Sequence, residues 1–155
     1  MNTLLQVSLL SVNDEVRFLA DAPGREPITV DYFRSNDDAT SYTSLELLLI
    51  SAASCMASAL KIVIKKRLKK DVIKLEVDAS GVRRESLPTD FTAVSFHIRC
   101  TSADLDDSEL TELVQSAKEK ICPVFAMLKD DIDMQFSVTV QRPQGEKGGC
   151  QCQKN

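Results

Sequence analysis

A run of apolar and small residues from Leu45 to Leu60 constrains this sequence more than any other feature, and Glu46 is its only charged member. Thr43 and Glu46 stand three residues apart as in a capping box, which predicts that a helix begins here. The run is shorter than a bilayer span and contains three serines, so it is typical of a buried core helix. Because this helix is apolar or small nearly all round, it needs cover on most sides. It is therefore either sandwiched at the centre of the domain or covered by a second subunit.

The end of the same helix is basic, since Lys61 to Lys70 is rich in Lys and Arg. Positive charge stabilises a helix C-terminus through the macrodipole. We prefer this structural explanation of the charges, and a binding patch stays open as the alternative.

Alternation of apolar and polar residues indicates β-strands on both sides of this helix. Three short alternating segments precede the helix and three longer ones follow it: Leu5 to Leu9, Val16 to Ala20, Ile28 to Tyr32, Ile73 to Ala79, Val94 to Cys100 and Ile132 to Val140. Each longer segment predicts an antiparallel strand with one buried face and one wet face. An amphipathic helix, from Leu110 to Ile121 and capped by Asp106 and Glu109, separates the last two strands. Segregated strands with two helices of different character predict an α+β domain.

Length and composition bound the setting of this domain. We place the folded domain at residues 1–142 and a flexible tail at residues 143–155, because the tail is Gly-rich and polar. The net charge of −4 argues against nucleic acid as a partner. The first residues lack a basic region and a small-residue cleavage site, so we expect no secretory signal. We therefore expect a cytoplasmic protein, a setting in which structural disulfides are rare.

Cys55 and Cys122 are the two cysteines whose surroundings suggest chemistry. Cys55 lies mid-helix within Ser-Ala-Ala-Ser-Cys-Met-Ala-Ser-Ala, where a free cysteine commonly packs as a small hydrophobe. Cys122 precedes Pro123, and proline is favoured at the first position of a helix, so Cys122 is predicted to be an N-cap. Unsatisfied N–H groups there lower the pKa of a thiol toward thiolate, the form that reacts in disulfide exchange. A passive apolar corner is the alternative for Cys122.

Two strings resemble the OsmC/Ohr family of thiol peroxidases. The first is Glu-Leu-Leu-Leu-Ile-Ser-Ala-Ala-Ser-Cys, from Glu46 to Cys55, and the second is Cys-Pro-Val, beginning at Cys122. The resemblance runs from the N-terminal strands to about Val140. It implies an OsmC/Ohr-like fold, with antiparallel sheets and a buried central helix, in an intertwined homodimer whose site lies at the subunit interface.

The resemblance also implies a reaction. Cys55 is the peroxidatic cysteine, which becomes a sulfenic acid when it reduces a hydroperoxide, and Cys122 is the resolving cysteine, which condenses with it to a disulfide. An external dithiol, lipoyl-type or thioredoxin-like, restores both thiols. The expected partners are thus a second copy of the chain, a small-molecule hydroperoxide and this reductant, with no membrane and no nucleic acid. No cofactor is implied.

Two further residues are secondary candidates for activating Cys55. Characterised members of the family hold the thiolate with an Arg from an N-terminal loop and a Glu before the cysteine helix. Glu46 is one residue nearer its cysteine than that Glu, in the register of a less characterised branch with a Glu-Leu-Leu-Leu pattern, and its capping box gives it a structural role. Arg17 is offset by four residues from the family's Arg position, which falls near Asn13.

The other chemistry-bearing residues receive structural assignments. His97 falls on the polar face of its strand, so we expect solvent exposure, and Cys100 falls on the apolar face. Cys150 and Cys152 form a Cys-x-Cys in the tail, but two thiolates fall short of the four ligands of a structural zinc site. The sequence therefore implies no metal site.

Two rival functions remain open. The first is a slow redox-sensing or sulfur-handling protein with the same fold and thiols. The second is a non-catalytic protein that binds an apolar ligand at the dimer interface. The offset of Arg17 supports both rivals, whereas the presence of both Cys55 and Cys122 favours a redox role.

Overall fold

The computed structural model describes residues 4–13, 16–32, 41–128 and 130–143. Two compact units are distinguished, residues 1–51 and residues 52–155. Of the predicted tail, residues 143–155, only Pro143 is among the described residues and Cys150 and Cys152 lie outside them, so the boundary at residue 142 stays a prediction.

The first unit contains a three-stranded antiparallel sheet in the order β1 (Ser8–Ser11), β2 (Arg17–Asp21) and β3 (Ile28–Asp31). The strand β1 begins later than the alternation from Leu5 predicts, because it pairs with β2 only from Ser8 onward. A tight turn joins β2 to β3, and in it the Arg25 N–H donates to the Ala22 carbonyl at 3.0 Å. Gly24 has a φ of 72° there, a conformation that glycine adopts without steric cost.

The helix α1 (Ser44–Val63) begins in the first unit and continues into the second. Its start is joined to β3, because the Asp31 N–H donates to the Tyr42 carbonyl at 2.9 Å. The predicted capping box is confirmed: Glu46 accepts from the Thr43 N–H at 2.8 Å, and the Glu46 N–H donates to the Thr43 hydroxyl at 3.3 Å. Two backbone donors at the helix start are thereby satisfied.

The second unit continues from α1 into a π-helical turn, Ile64–Leu68, and then a second sheet. Its further elements are β4 (Lys74–Arg83), β5 (Phe91–Thr101), α2 (Asp107–Ser116), a π-helical turn Ala117–Ile121, α3 (Pro123–Met127) and β6 (Asp133–Gln141). The strands follow the order β4-β5-β6 in one sheet. The predicted α+β class is confirmed.

The pairing of β6 corrects the prediction. The alternation predicted an antiparallel strand, but β6 runs parallel to β5, with Phe96 opposite Phe136. The reason is the connection, because α2 and α3 carry the chain back to the starting end of β5 before β6 begins. Parallel neighbours need such a crossover, whereas antiparallel neighbours need only a turn.

The core of the second unit lies between one face of the sheet and the helices. Alternate residues of β5 are buried as predicted, and α1 and α2 bury one side each. The buried residues of these elements are Val94, Phe96, Ile98 and Cys100 on β5, Ala52, Met56, Ala59, Leu60 and Val63 on α1, and Leu110 and Val114 on α2. The predicted central helix is therefore covered on one side within a single chain.

The predicted cap of α2 is also confirmed. The Glu109 N–H donates to the Asp106 carboxylate at 2.8 Å, and the Asp106 N–H donates to the Glu109 carboxylate at 3.2 Å. This reciprocal pair defines where α2 begins, and α2 leads through the second π-helical turn to Cys122.

Replacement of the cap tests this description of α2. We expect Asp106→Ala to lower the free energy of unfolding by about 1 kcal/mol, because the Glu109 N–H loses its acceptor. Asp106→Asn is the matched control and should stay close to wild type, since asparagine caps helices as well as aspartate does. Urea unfolding followed by circular dichroism measures both. Equal losses in the two variants would contradict the cap.

Candidate redox site

Cys55 and Cys122 meet in the second unit. Their sulfurs form a disulfide across a sequence separation of 67 residues, and their Cα atoms lie 5.9 Å apart. That separation falls within the range in which two cysteines bridge without moving the backbone. The structure therefore places the two sequence candidates at bonding distance, and the chemistry available to them is reversible thiol–disulfide exchange.

Cys55 lies at the border between the buried and the exposed side of α1. Its neighbour Met56 is fully buried, whereas Ser54 and Ser58 are exposed and Cys55 itself is half-buried. Cys55 thus has buried apolar neighbours on one side of the helix and exposed polar neighbours on the other.

Cys122 is the N-cap of α3, with Pro123 in the first turn as predicted. It is only 2% exposed. The Cys122 N–H donates to the Ala117 carbonyl at 2.9 Å, which closes the π-helical turn, and the Cys122 carbonyl accepts from the Ala126 N–H at 3.3 Å. Both the N–H and the carbonyl of Cys122 are hydrogen-bonded. These two bonds fix the backbone of the residue and thereby restrict the position of its sulfur.

Three of the six phenylalanines of the chain hold α3 against the sheet, a feature that sequence reasoning missed. The Phe125 ring meets the Phe96 ring edge-on at 5.2 Å and the Phe136 ring at 5.8 Å, and the rings of Phe96 and Phe136 stack at 5.2 Å. The Lys118 ammonium lies 5.5 Å from the centre of the Phe136 ring. Edge-to-face and offset contacts of this kind are favourable beyond the area that they bury. Since Phe125 lies one turn after Cys122, the cluster positions the sulfur.

Glu46 and Arg17, the secondary candidates, belong to the first unit and have local partners there. Besides its backbone partner, the Glu46 carboxylate accepts from the Thr43 hydroxyl at 3.0 Å. An Arg17 guanidinium nitrogen lies 3.8 Å from the Asp31 carboxylate. The structure thus brings Cys55 and Cys122 together, and it shows Glu46 and Arg17 in interactions within the first sheet and the start of α1.

Cys100 takes its expected place on β5, whereas His97 lies on the predicted polar face but is half-buried and not exposed. His97 lies on the polar face, with its Nδ1 2.7 Å from the Ser137 hydroxyl. On the same face, a hydrogen bond from Arg99 lowers the pKa of Asp78 below its usual value. Cys100 is fully buried, and burial raises the pKa of its thiol.

Within the described ranges, no three His, Cys, Asp or Glu side chains gather as ligands for a metal ion. One helical stretch, Ser44–Leu68, is long and apolar enough to cross a bilayer by length and composition. Core helices of soluble proteins pass the same test, and Met56, Leu60 and Ile64 of this stretch are fully buried.

Comparison with known proteins places this arrangement in a family. The sequence profile of a family described as OsmC-like protein matches residues 36–137. Protein YhfA of Escherichia coli K12 is 31% identical over 123 residues, which are 79% of this chain and 89% of YhfA. The chain belongs to the OsmC-like family. This membership confirms the resemblance found in the two cysteine strings.

Solved structures agree with the membership of this OsmC-like protein. A hypothetical protein from Aquifex aeolicus VF5 superposes with a TM-score of 0.77 at 23% identity, covering 92% of this chain and all of that one. An organic hydroperoxide resistance protein OsmC from Legionella pneumophila superposes with a TM-score of 0.68 at 17% identity, covering 88% and 97%. At such identities the likeness shows the fold, so the predicted OsmC/Ohr-like fold is confirmed. The family includes organic hydroperoxide resistance proteins.

The disulfide should stabilise the protein measurably. Closing a loop of 67 residues removes conformational entropy from the unfolded chain, worth up to about 4 kcal/mol in the chain-entropy model. In the double variant Cys150→Ser/Cys152→Ser, which retains the bond, we expect dithiothreitol to lower the urea midpoint of unfolding. In the triple variant that also carries Cys122→Ser, which cannot form the bond, dithiothreitol should leave the midpoint unchanged. A shift of equal size in both proteins would contradict a Cys55–Cys122 bond.

The buried thiol of Cys100 yields a separate prediction. In the oxidised Cys150→Ser/Cys152→Ser background, Cys100 is the only thiol. Its raised pKa means that folding favours the protonated form, so alkylation by iodoacetamide should stay slow from pH 7 to 9. In 8 M urea, alkylation should rise several-fold per pH unit up to the ordinary pKa of about 8.5. Folding stability should accordingly fall as pH rises above that value. Rapid labelling of the native protein at pH 8 would contradict the burial.

Proposed function

We propose that this protein is a thiol-dependent peroxidase that reduces organic hydroperoxides, and hydrogen peroxide, in cytoplasmic defence against oxidative stress. The observation that carries the proposal is the Cys55–Cys122 bond, in which a half-buried cysteine is paired with a cysteine held at a helix N-cap. Membership of a family that includes hydroperoxide resistance proteins supports it.

The proposed cycle transfers two electrons. The Cys55 thiolate attacks the terminal oxygen of the hydroperoxide, the O–O bond breaks, and the alcohol leaves with a proton while Cys55 becomes a sulfenic acid. The Cys122 thiolate then attacks the Cys55 sulfur, and the hydroxyl group leaves as water when the disulfide forms. A lipoyl-type or thioredoxin-like dithiol reduces the bond and is itself oxidised to a disulfide.

We further propose that the working form is an intertwined homodimer. Leu48, Ile50 and Ile62 of α1 are 37%, 46% and 54% exposed in the single chain, which is unusual for a helix of this apolarity. Large apolar side chains left exposed along a helix are candidates for burial by a partner. A second copy covers them, and the cysteine site then lies beside the interface in an environment that accepts an alkyl chain.

Peroxide consumption by the cysteine variants tests the proposal. Purified protein is given cumene hydroperoxide or hydrogen peroxide with dithiothreitol. We expect Cys55→Ser to show only the uncatalysed rate. Reduced Cys122→Ser from which dithiothreitol has been removed should consume about one peroxide and then retain a sulfenic acid that dimedone labels, because the resolving thiol is absent. Cys100→Ala is the control and should turn over as wild type does. Turnover that survives in Cys55→Ser would show that another residue is the nucleophile.

The same assay assigns the secondary candidates. Glu46→Gln keeps a capping side chain while it removes the charge. If the role of Glu46 is capping, kcat/KM changes by no more than about threefold, which corresponds to about 0.6 kcal/mol of transition-state stabilisation. We expect that outcome for Glu46→Gln. The matched variant Arg17→Met should lower kcat/KM by more than tenfold if Arg17 holds the thiolate, and its effect decides that role.

A second candidate function is a slow redox-sensing or sulfur-handling protein with the same disulfide. The observation in its favour is that the Glu46 carboxylate is bonded to Thr43 and that Arg17 is paired with Asp31. Stoichiometric oxidation of Cys55 with turnover no faster than the uncatalysed rate would select this candidate. Absence of any oxidation would select a non-catalytic binder of an apolar ligand.

A further inference from the structure

The end of α1 and the π-helical turn after it carry a concentration of positive charge. Residues 61–70 contain six Lys or Arg and no acidic residue, in a chain whose net charge is −4. The stabilising effect of positive charge on a helix C-terminus is confined to about the last turn. Six cations over ten residues exceed that need, and like charges so close together repel one another.

One of the six cations is neutralised within the chain. The Lys70 ammonium lies 2.5 Å from both carboxylate oxygens of Glu109 on α2. The other five are exposed and pair with no acidic side chain in the described part of the chain; we call them the basic segment: Lys61, Lys65, Lys66, Arg67 and Lys69. The Lys70 pair joins the chain at the end of this segment to α2 and leaves the five other charges exposed to solvent.

The basic segment borders a cavity. A recess of about 230 Å³ is lined by Lys61, Lys65 and Lys70 together with Asp71 and Val72. Because Lys70 is occupied by Glu109, two ammonium groups remain to bind a ligand. The recess has room for a carboxylate side chain with several waters, each of which takes roughly 30 Å³.

The basic segment lies near the Cys55–Cys122 disulfide. A helix rises about 1.5 Å per residue, so Lys65 lies about 15 Å along the axis from Cys55. A partner bound on the basic segment therefore reaches the disulfide if its dithiol extends about 15 Å along the helix.

We propose that the basic segment is the docking surface for an acidic protein that carries the dithiol reducing the Cys55–Cys122 bond. The inference rests on the proposed function, because it names the partner in the last step of that cycle. One partner thiolate attacks the disulfide to form a mixed disulfide, and the second partner thiol displaces it. The partner is oxidised to its disulfide, and its two thiol protons end on Cys55 and Cys122.

An acidic protein fits this surface better than nucleic acid does. A long polyanion would extend past five cations onto the rest of an acidic chain, where it is repelled. A compact acidic patch matches the segment alone, and complementary charge chiefly raises the rate of association.

The test compares dithiol peptides that differ only in charge. One peptide has the sequence Cys-Gly-Pro-Cys flanked by four glutamates on each side, the other is flanked by serines, and dithiothreitol serves as a neutral small dithiol. The rate of reduction of the oxidised protein is measured by stopped flow. We expect the acidic peptide to react at least tenfold faster than the serine peptide at low ionic strength. This advantage should vanish in 0.5 M NaCl, where screening is strong.

Two charge-matched variants locate the docking surface. Lys61→Gln/Lys65→Gln should lose most of the advantage of the acidic peptide. The control variant Arg83→Gln/Arg84→Gln removes the same amount of charge at the other end of β4. It should retain the advantage of the acidic peptide. Dithiothreitol should reduce wild type and both variants at equal rates, because it needs no docking.

Each other outcome overturns the inference. Equal rates with the two peptides would exclude the docking surface, as would an equal loss in both variants. Binding of a fluorescent 20-nucleotide DNA strand to the basic segment, without any preference for the acidic peptide, would assign the surface to nucleic acid instead. Peroxide turnover with dithiothreitol separates the two proposals: if it persists, only the docking is wrong, and if it is absent, the peroxidase itself is wrong.

Discussion

The packing of α3 on the second sheet is the interaction on which the cysteine pair depends. A disulfide tolerates only a narrow separation of backbones, yet Cys55 and Cys122 are 67 residues apart in sequence. The connection between β5 and β6, which contains Cys122, is held by side-chain contacts near both of its ends. Near its start, Glu109 receives Lys70 from the segment after α1, and near its end Phe125 is seated on two rings of the sheet. The Lys70–Glu109 pair and the packing of Phe125 together hold this connection where the Cys122 sulfur reaches Cys55.

Features that depend on neighbouring residues could be predicted from the sequence. The two capping boxes, Pro123 in the first turn of α3 and the buried face of β5 each follow from residue types at short spacing, and each is confirmed. The cysteine pair required more than spacing, because Cys55 alone resembles an ordinary core residue. Its recognition came from the two strings together and their order in the chain.

Features that depend on distant parts of the chain could not be predicted. Alternation reports which face of β6 is buried, but it carries no information on strand direction, so the parallel pairing with β5 was missed. The Phe96–Phe125–Phe136 cluster and the Lys70–Glu109 pair join residues far apart in sequence, and no local pattern marks them. The ion pair of Arg17 with Asp31 joins β2 to β3, and no local pattern marks it either.

The strand β6, which pairs in parallel with β5, is the last of the described elements to be synthesised on the ribosome. Both cysteines are synthesised before β6, whose Phe136 completes the ring cluster under α3. A nascent chain that ends before this strand holds two thiols but lacks the sheet edge that seats the resolving cysteine. Domains generally fold as units once their chain is complete. Because the sheet edge that holds α3 is synthesised last, pairing of the two sulfurs would report that this sheet is complete.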